Sequence, residues 1–132
     1  MMYMLDTNIC SYILKKRPVS VLKKFNEVGP ENLSISAIVL AELCYGASRH
    51  PYGDKIQGDI NDFAYRLSVI SWSDQAARYY GDTRATLERA GRPVGNMDLM
   101  VAAHALSLDA TLVTNNTRHF NPIQYLRLEN WL

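Results

Sequence analysis

The sequence predicts an α/β protein in which a central parallel sheet lies between two layers of helices, a three-layer α/β/α sandwich. Short apolar runs suited to buried strands alternate along the chain with longer helical segments, and this alternation is typical of parallel strands joined by crossover helices. The chain has 132 residues, of which 48% are hydrophobic, which is enough for one core and leaves little room for a second. We therefore expect residues 1–132 to form one domain.

The first half of the chain begins with a strand and continues with helices on either side of a second strand. Tyr3–Leu5 is apolar and too short for a helix, and the Asp-Thr-Asn sequence that follows it is typical of a helix N-terminus. Proline and glycine separate the next segments, and Ser36 is placed to cap the helix after the second strand. The predicted strands are Tyr3–Leu5 and Leu33–Ser36, and the predicted helices are residues 9–14, 19–26, Ala37–Ser48 and 55–67.

The second half repeats the alternation of strand and helix. Ser73 favours the start of a long helix and Gly91 its end. Asn96 is placed to cap the next helix, and a turn over residues 115–117 leads the chain away from the last predicted strand. The predicted strands are residues 68–71 and 110–114, the helix after Asn96 covers residues 97–108, and residues 125–132 fit no single element.

Composition excludes several classes of protein. The balance of 14 basic and 13 acidic residues gives a net charge of +1, which excludes a strongly basic or acidic tail. Cys10 and Cys44 lie inside apolar runs, the three histidines are far apart, and there is no CxxC or HExxH motif, so a disulfide scaffold or a structural zinc site is not expected. No apolar run reaches the about 18 residues of a membrane span, and no signal peptide is recognisable. We therefore expect a cytoplasmic protein that does not enter a membrane.

Three apolar stretches each retain a single acidic residue. Asp6 and Glu42 are the only charged residues of their stretches, and Asp98 is the only acid of the third. A lone ionised carboxylate in an apolar setting is costly unless it is paired or binds a metal, and none of the three has a Lys or Arg partner close by in the sequence. Asp6 ends a predicted strand, where open parallel sheets bind ligands. We therefore interpret the three acids as one cation-binding site.

Each acid also has an ordinary structural interpretation. Asp98 near a helix N-terminus is favoured by the helix dipole, and Asp6 is placed to act as an N-cap or turn residue. Glu42 has apolar neighbours on every side, so its ordinary interpretation is a narrow solvent-facing stripe on its helix. The shared site is preferred because one cause explains all three positions.

The predicted ligands are all oxygen donors, and this selects a hard ion, Mg²⁺ or Mn²⁺, over zinc. Such ions support phosphoryl chemistry by activating a nucleophile and stabilising the leaving oxygen. Thr7, Asn8, Thr114 and Asn116 follow predicted strands and are expected at the same edge of the sheet, where they would contact substrate or orient the metal ligands. The basic residues that could contact a nucleic-acid backbone are Lys15, Lys16, Arg17, Arg84, Arg89, Arg92 and Arg118.

Four segments, in order along the chain, carry a resemblance to a known family: MLDTNI, AIVLAELCYGA, GRPVGNMDLMVAAHAL and TLVTNNTRHF. Together they cover nearly the whole sequence, and their order and separation are more specific than any one of them. The sequence resembles the PIN-domain proteins and, more narrowly, the VapC toxins of bacterial type II toxin–antitoxin modules.

The resemblance implies an α/β/α fold and Mg²⁺- or Mn²⁺-dependent endoribonuclease activity. It places the catalytic acids on Asp6, Glu42 and Asp98, with Asp6 and Asp98 as metal ligands and Glu42 joining them directly or through water. A fourth family acid corresponds to Asn116, an amide, which implies weaker metal binding.

The same resemblance implies partners and a substrate. Members pair as dimers and are silenced by a VapB antitoxin whose C-terminal segment lies across the active-site groove. The TNNTR ending is similar to that of members that cut initiator tRNA in the anticodon stem-loop.

Two other functions remain open at this point. A Mg²⁺-dependent phosphatase or receiver-like domain would carry a second Asp close behind Asp6, where this chain has Thr7 and Asn8. A non-catalytic module that contacts RNA or a protein partner would have no reason to retain three charged acids in apolar stretches.

Overall fold

The computed structural model describes residues 2–132, and its centre is a five-stranded sheet in the order β3-β2-β1-β4-β5. All four strand pairings of this sheet are parallel. The observed sheet and the helices on both of its faces confirm the predicted three-layer α/β/α fold. The strands are β1 (Tyr3–Leu5), β2 (Leu33–Ser36), β3 (Ser68–Ile70), β4 (Thr111–Val113) and β5 (Arg127–Glu129).

Helices connect the strands, and their limits agree with the predicted segments to within a few residues. A short 3₁₀ turn, Pro30–Asn32, precedes β2. The sequence-based expectation that residues 1–132 form one domain stays a prediction. The helices are α1 (Thr7–Lys15), α2 (Val19–Val28), α3 (Ala37–Ser48), α4 (Gly53–Arg66), α5 (Asp74–Arg89), α6 (Asn96–Ser107) and the short α7 (Thr117–Phe120).

The core lies around the three central strands. Met4 and Leu5 of β1, Ile35 of β2 and Leu112 and Val113 of β4 are fully buried. Strands that are covered on both faces have near-continuous apolar sequences, as expected for a parallel sheet between two helical layers. Each Å² of apolar surface that is buried stabilises a fold by about 25 cal/mol. The buried central strands are therefore the stable base from which the loops at the sheet edge extend.

The carboxyl edge of the sheet places the first predicted site residues next to each other. Leu5 pairs with Val113, and the Asp6 N–H donates to the Val113 carbonyl at 3.0 Å. Asp6 is therefore beside Thr114, the first residue after β4. On the other side of β1, α3 begins directly after β2, with Ser36 as its N-cap at 3.1 Å from the Ile38 N–H.

Several local expectations were confirmed and others were wrong. Ser73 caps α5 through the Ala76 N–H, and Gly91 takes the left-handed conformation with φ of 68° after the helix. Asn96 does not cap α6: Gly95 is the N-cap, no side-chain cap bond forms, and Asn96 is the first helical residue. A turn was expected at residues 115–117, but the short helix α7, which was not predicted, already begins at Thr117.

Residues 125–132, which fitted no single element, include the edge strand β5. Its side chains are half-buried or exposed, so the sequence shows little of the apolar pattern of a strand. Arg127 fastens β5 to the turn between α6 and β4, because its guanidinium lies 2.8 Å from Asp109 Oδ1 and also bonds the Asp109 carbonyl. No helix within residues 2–132 combines the length and the apolar content that crossing a membrane requires. Both cysteines are free thiols.

Candidate functional site

Asp6 lies at the junction of β1 and α1 and performs two tasks. Its Oδ1 accepts a hydrogen bond from the Ile9 N–H at 2.9 Å and caps α1, as the sequence predicted. The Thr114 hydroxyl also bonds this carboxylate. Burial raises the pKa of Asp6, and the negative charges of Asp98 and Glu42 raise the pKa further. The Asp6 carboxylate therefore lies within the electrostatic reach of both other predicted acids.

Glu42 lies in the second turn of α3 and is half-buried. The Thr7 hydroxyl donates to Glu42 Oε1 at 2.7 Å, which is the length of a strong bond to a charged acceptor. Thr7 directly follows Asp6 and is the first residue of α1. The hydrogen bond thus holds the Glu42 carboxylate against the first residue of α1, next to the N-cap residue Asp6.

Asp98 lies in the first turn of α6 and differs from the sequence-based expectation. Its side chain is 53% exposed rather than enclosed among apolar residues, and it has a partner: His119 Nε2 lies 3.1 Å from Asp98 Oδ2. His119 is not among the site residues predicted from the sequence, because a lone histidine far along the chain gives no local signal. The preceding strand β4 and the short α7 bring it to the site.

The four polar residues predicted to support the acids have different positions. Thr114 is fully buried, bonds the Asp6 carboxylate and accepts the Asn116 N–H at 3.0 Å. Asn116 therefore contacts a residue of the site, Thr114, through its backbone N–H. The side chains of Asn116 and Asn8 are exposed, and among the described residues neither makes a hydrogen bond to the acids.

The three acids offer the oxygen donors that a hard divalent cation prefers. Within residues 2–132, no three Asp, Glu, His or Cys side chains converge tightly enough to enclose an ion by themselves. Mg²⁺ commonly binds through one or two carboxylates and retains several waters, so an open cluster of acids fits this ion. Burial is the main cause of the raised pKa of Asp6, and the charges of Asp98 and Glu42 add to it. A cation bound beside the three acids would offset both effects.

His104 belongs to the core rather than to the acid cluster. It is fully buried in α6, and its Nδ1 lies 2.8 Å from Ser36 Oγ. Burial lowers the pKa of His104, which keeps the ring neutral. The hydrogen bond ties α6 to the start of α3 and so helps to set the distance between the helices that carry Asp98 and Glu42.

Comparison with known proteins shows the family to which this chain belongs. The family model described as "PIN domain" matches residues 3–123. Ribonuclease VapC2 of Rickettsia felis is 45% identical over 132 residues, covering 99% of this chain and 98% of the relative. A tRNA(fMet)-specific endonuclease VapC of Shigella flexneri is 42% identical over 129 residues, covering 98% of this chain and 97% of the relative.

Solved structures agree with the sequence comparison. The chain is similar to VapBC2 from Rickettsia felis bound to a DNA fragment from the promoter, with a TM-score of 0.94, 44% identity and 100% coverage of both chains. It is also similar to DNA-bound VapBC from Salmonella typhimurium, with a TM-score of 0.94, 39% identity, and coverage of 100% of this chain and 99% of that one. The chain therefore belongs to the PIN domain family and, within it, to the VapC ribonucleases.

Proposed function

We propose that this protein is the toxin of a type II toxin–antitoxin module and a metal-dependent endoribonuclease that hydrolyses RNA phosphodiester bonds. The observation that carries the proposal is the position of Asp6 at the carboxyl end of β1, directly before Thr7, whose hydroxyl donates to Glu42 Oε1 at 2.7 Å. The charges of Glu42, in the second turn of α3, and of Asp98, in the first turn of α6, act on Asp6 at the carboxyl edge of a parallel sheet, where such folds bind ligands. Membership of the VapC ribonucleases supports the same activity.

The proposed cofactor is Mg²⁺, with Mn²⁺ as a substitute. Asp6 and Asp98 would hold the ion, with Glu42 joining directly or through water, because oxygen ligands select hard cations. When bound, the ion supplies charge neutralisation for the phosphate and activation of a nucleophilic water.

The protein groups around the acids have separate tasks in this proposal. Thr7 holds Glu42 through Oε1 at 2.7 Å, which leaves Oε2 to accept a proton from the attacking water. Thr114 holds Asp6 in one orientation while accepting the Asn116 N–H. His119 holds Asp98 at 3.1 Å. Because each acid is oriented before substrate binds, little reorganisation is needed during the reaction.

The substrate and partners that we propose follow from the names of the relatives. The Shigella flexneri relative is named a tRNA(fMet)-specific endonuclease, so we assign initiator tRNA as the substrate. The resemblance of the TNNTR ending implies that the cut lies in the anticodon stem-loop. The similar solved structures are VapBC assemblies, so we assign a VapB-type antitoxin as the partner that silences the toxin. We further propose a homodimer that acts in the cytoplasm, where tRNA is found.

The decisive experiment incubates the purified protein with end-labelled initiator tRNA in Mg²⁺, in Mn²⁺ and in EDTA. Cleavage is expected with either ion and not in EDTA. The variants Asp6→Asn, Glu42→Gln and Asp98→Asn should be inactive, whereas Asp62→Asn, which alters an exposed acid of α4, should cleave as the wild type does. Metal-independent binding without cleavage would instead identify the non-catalytic binding module.

The chemistry of the product ends tests the mechanism. Activation of water predicts 5′-phosphate and 3′-hydroxyl ends, because the attacking oxygen comes from solvent. Ends that carry a 2′,3′-cyclic phosphate would show attack by the ribose hydroxyl and would contradict the assignment of the acids.

A further inference from the structure

A groove between α1, α3 and α4 opens directly onto Thr7 and Glu42. Its volume is about 470 Å³. One wall is the face of α1 on which Thr7, Ser11 and Lys15 recur every four residues, and another is α3 with Glu42, Gly46 and Arg49. The groove therefore begins at the proposed catalytic acids and continues away from them along two helices.

Glu42, Gly46 and Arg49 line the groove, and Tyr45 lies beside them on the same side of α3. Glu42, Tyr45, Gly46 and Arg49 are spaced by three or four residues, so they lie on one face of α3 and of its C-cap residue. From Glu42 to Arg49 this face is about 10 Å long. A ligand that reaches Glu42 along the groove must therefore pass Gly46 and Arg49.

Tyr45 and Arg49 form an exposed pair beside the groove. The Arg49 guanidinium carbon lies 5.3 Å from the centre of the Tyr45 ring. The tyrosine is still 67% exposed. A ring that is fixed by a guanidinium and open to solvent is the arrangement on which unpaired nucleobases stack.

Gly46 leaves the middle of this wall open. A Cβ atom placed there would meet no other atom within 4 Å. A larger side chain at this position would occupy the groove without disturbing the protein around it. Residue 46 is therefore a place where a side chain can begin without a clash, and thermal melting checks that the fold is kept.

Charge is distributed unevenly along the groove. The basic side chains Lys15 and Arg49 line it beyond Glu42. Its second acid, Asp59, is paired with Lys55 at 3.3 Å. Negative charge is thus concentrated at the catalytic end, where the proposed metal ion would neutralise it, and positive charge lies farther along, which suits a strand of phosphates.

We propose that this groove holds the unpaired RNA strand next to the cleaved bond, with one base stacked on Tyr45 and phosphate oxygens bound by Lys15 and Arg49. The inference rests on the proposed function, since it takes RNA as the substrate. It adds a position for the strand and a requirement that a base beside the cut be unpaired, because a base inside a duplex cannot reach an exposed ring. Tyr45, Lys15 and Arg49 are substrate-positioning residues in this assignment.

The test compares Tyr45→Ala and Gly46→Gln with Gly81→Gln. Gly81 is a matched control because it lies within α5 and a Cβ atom there also meets nothing within 4 Å. The substrate is a labelled hairpin that carries the anticodon stem and loop of initiator tRNA, cleaved in Mg²⁺. Tyr45→Ala should raise KM about tenfold through loss of one stacked base, and Gly46→Gln should also raise KM about tenfold because its side chain obstructs the groove. Both variants should leave kcat within about twofold, and Gly81→Gln should match the wild type.

A set of hairpins with a single abasic loop nucleotide identifies the stacked base. One abasic position should raise KM for the wild type about tenfold and should add no further loss in Tyr45→Ala, because the two changes remove the same contact. Lys15→Ala should reduce the slope of log KM against log salt concentration by about 0.7, as expected for one phosphate contact to a single strand. The control Lys23→Ala on α2 should leave the slope unchanged.

Three results would overturn the inference. Cleavage by the wild type with an unchanged KM in both groove variants would show that the strand lies elsewhere, and the proposed function would stand. Loss of inhibition by a VapB-type antitoxin in those variants, with RNA kinetics unchanged, would assign the groove to the antitoxin. Failure of the wild type to cleave any RNA in Mg²⁺ or Mn²⁺ would overturn the proposed function and this inference together.

Discussion

His119 Nε2 lies 3.1 Å from Asp98 Oδ2 and so connects the short helix α7 to the first turn of α6. The histidine ring also packs edge-on against Phe120, with ring centres 5.3 Å apart. Phe120 is buried, so α7 is anchored in the core and holds the imidazole towards the acids. In the segment after β4, the His119 side chain contacts an acid of the site, whereas the Asn116 backbone N–H donates to the Thr114 hydroxyl.

This contact predicts that His119→Glu will bind Mg²⁺ about tenfold more tightly than the wild type. The new carboxylate would add a negative charge beside Asp98, and a charge a few ångströms from a partly exposed ion contributes about 1 to 4 kcal/mol. Asn116→Asp should produce a smaller gain, because its side chain is exposed. Titration calorimetry measures both affinities.

The control for this comparison is His50→Glu, which makes the same substitution in the turn after α3. It should leave the Mg²⁺ affinity unchanged. If Asn116→Asp strengthened binding more than His119→Glu did, Asn116 would be the residue closer to the ion.

The hydrogen bond from Thr7 to Glu42 predicts a second pair of variants. Thr7→Val keeps the side-chain shape and removes the donor, whereas Thr7→Ser keeps the hydroxyl. Because a hydrogen bond to a charged group contributes about 1.5–3 kcal/mol, kcat should fall at least about tenfold in Thr7→Val and remain within about threefold in Thr7→Ser. Steady-state cleavage of labelled tRNA measures kcat, and thermal melting checks the fold. Equal rates in Thr7→Val and the wild type would show that Glu42 needs no positioning by Thr7.

The parts of this structure that could be predicted from sequence are those that depend on neighbours along the chain. Asp6, Ser36 and Ser73 act as N-caps because the cap bond joins residues two or three positions apart. The buried strands could be recognised from their apolar residues. The grouping of Asp6, Glu42 and Asp98 was inferred from the scarcity of charge around each of them.

The parts that could not be predicted depend on contacts between distant segments. His119 reaches Asp98 because the chain reverses between α6 and β4, so that the start of α6 and the segment after β4 lie at the same edge of the sheet, and nothing in the local sequence records this. The edge strand β5 has partly exposed side chains, and it is held in place by Arg127 on Asp109 rather than by an apolar run. Asn96 is a good cap by residue type, yet Gly95 takes the cap position.

The raised pKa of Asp6 predicts how stability depends on pH in the metal-free protein. Burial is the main cause of the shift, and Asp98 and Glu42 add to it. Between the unfolded and folded pKa values of Asp6 the folded state binds more protons, so the free energy of unfolding decreases as pH rises through this window. Above the window the ionised carboxylate destabilises the fold by a constant amount.

Asp6→Asn removes that ionisation and keeps a side-chain oxygen that can cap α1, since Asn caps as well as Asp does. In EDTA the variant should melt at a higher temperature than the wild type at about pH 7, and the difference should shrink as the pH approaches about 3. Asp6→Ala also loses the cap and should be about 1 kcal/mol less stable than Asp6→Asn. Melting curves over this pH range measure both effects. A constant difference at all pH values would show that ionisation of Asp6 is not its cause.

Addition of Mg²⁺ should reverse this order of stability. A ligand that binds only the folded state stabilises it by RT ln(1 + [L]/Kd), which is about 2.7 kcal/mol at a hundredfold excess over Kd. The wild type should therefore melt several degrees higher in saturating Mg²⁺ than in EDTA, because the cation replaces the repulsion among Asp6, Glu42 and Asp98 by attraction. Asp6→Asn should gain much less, since it has lost one proposed ligand, and Asp62→Asn on α4 should gain as much as the wild type. Scanning calorimetry at several Mg²⁺ concentrations measures these shifts. An equal gain in Asp6→Asn and the wild type would mean that the stabilising ion binds away from Asp6, and the three acids would then have to be explained without a metal.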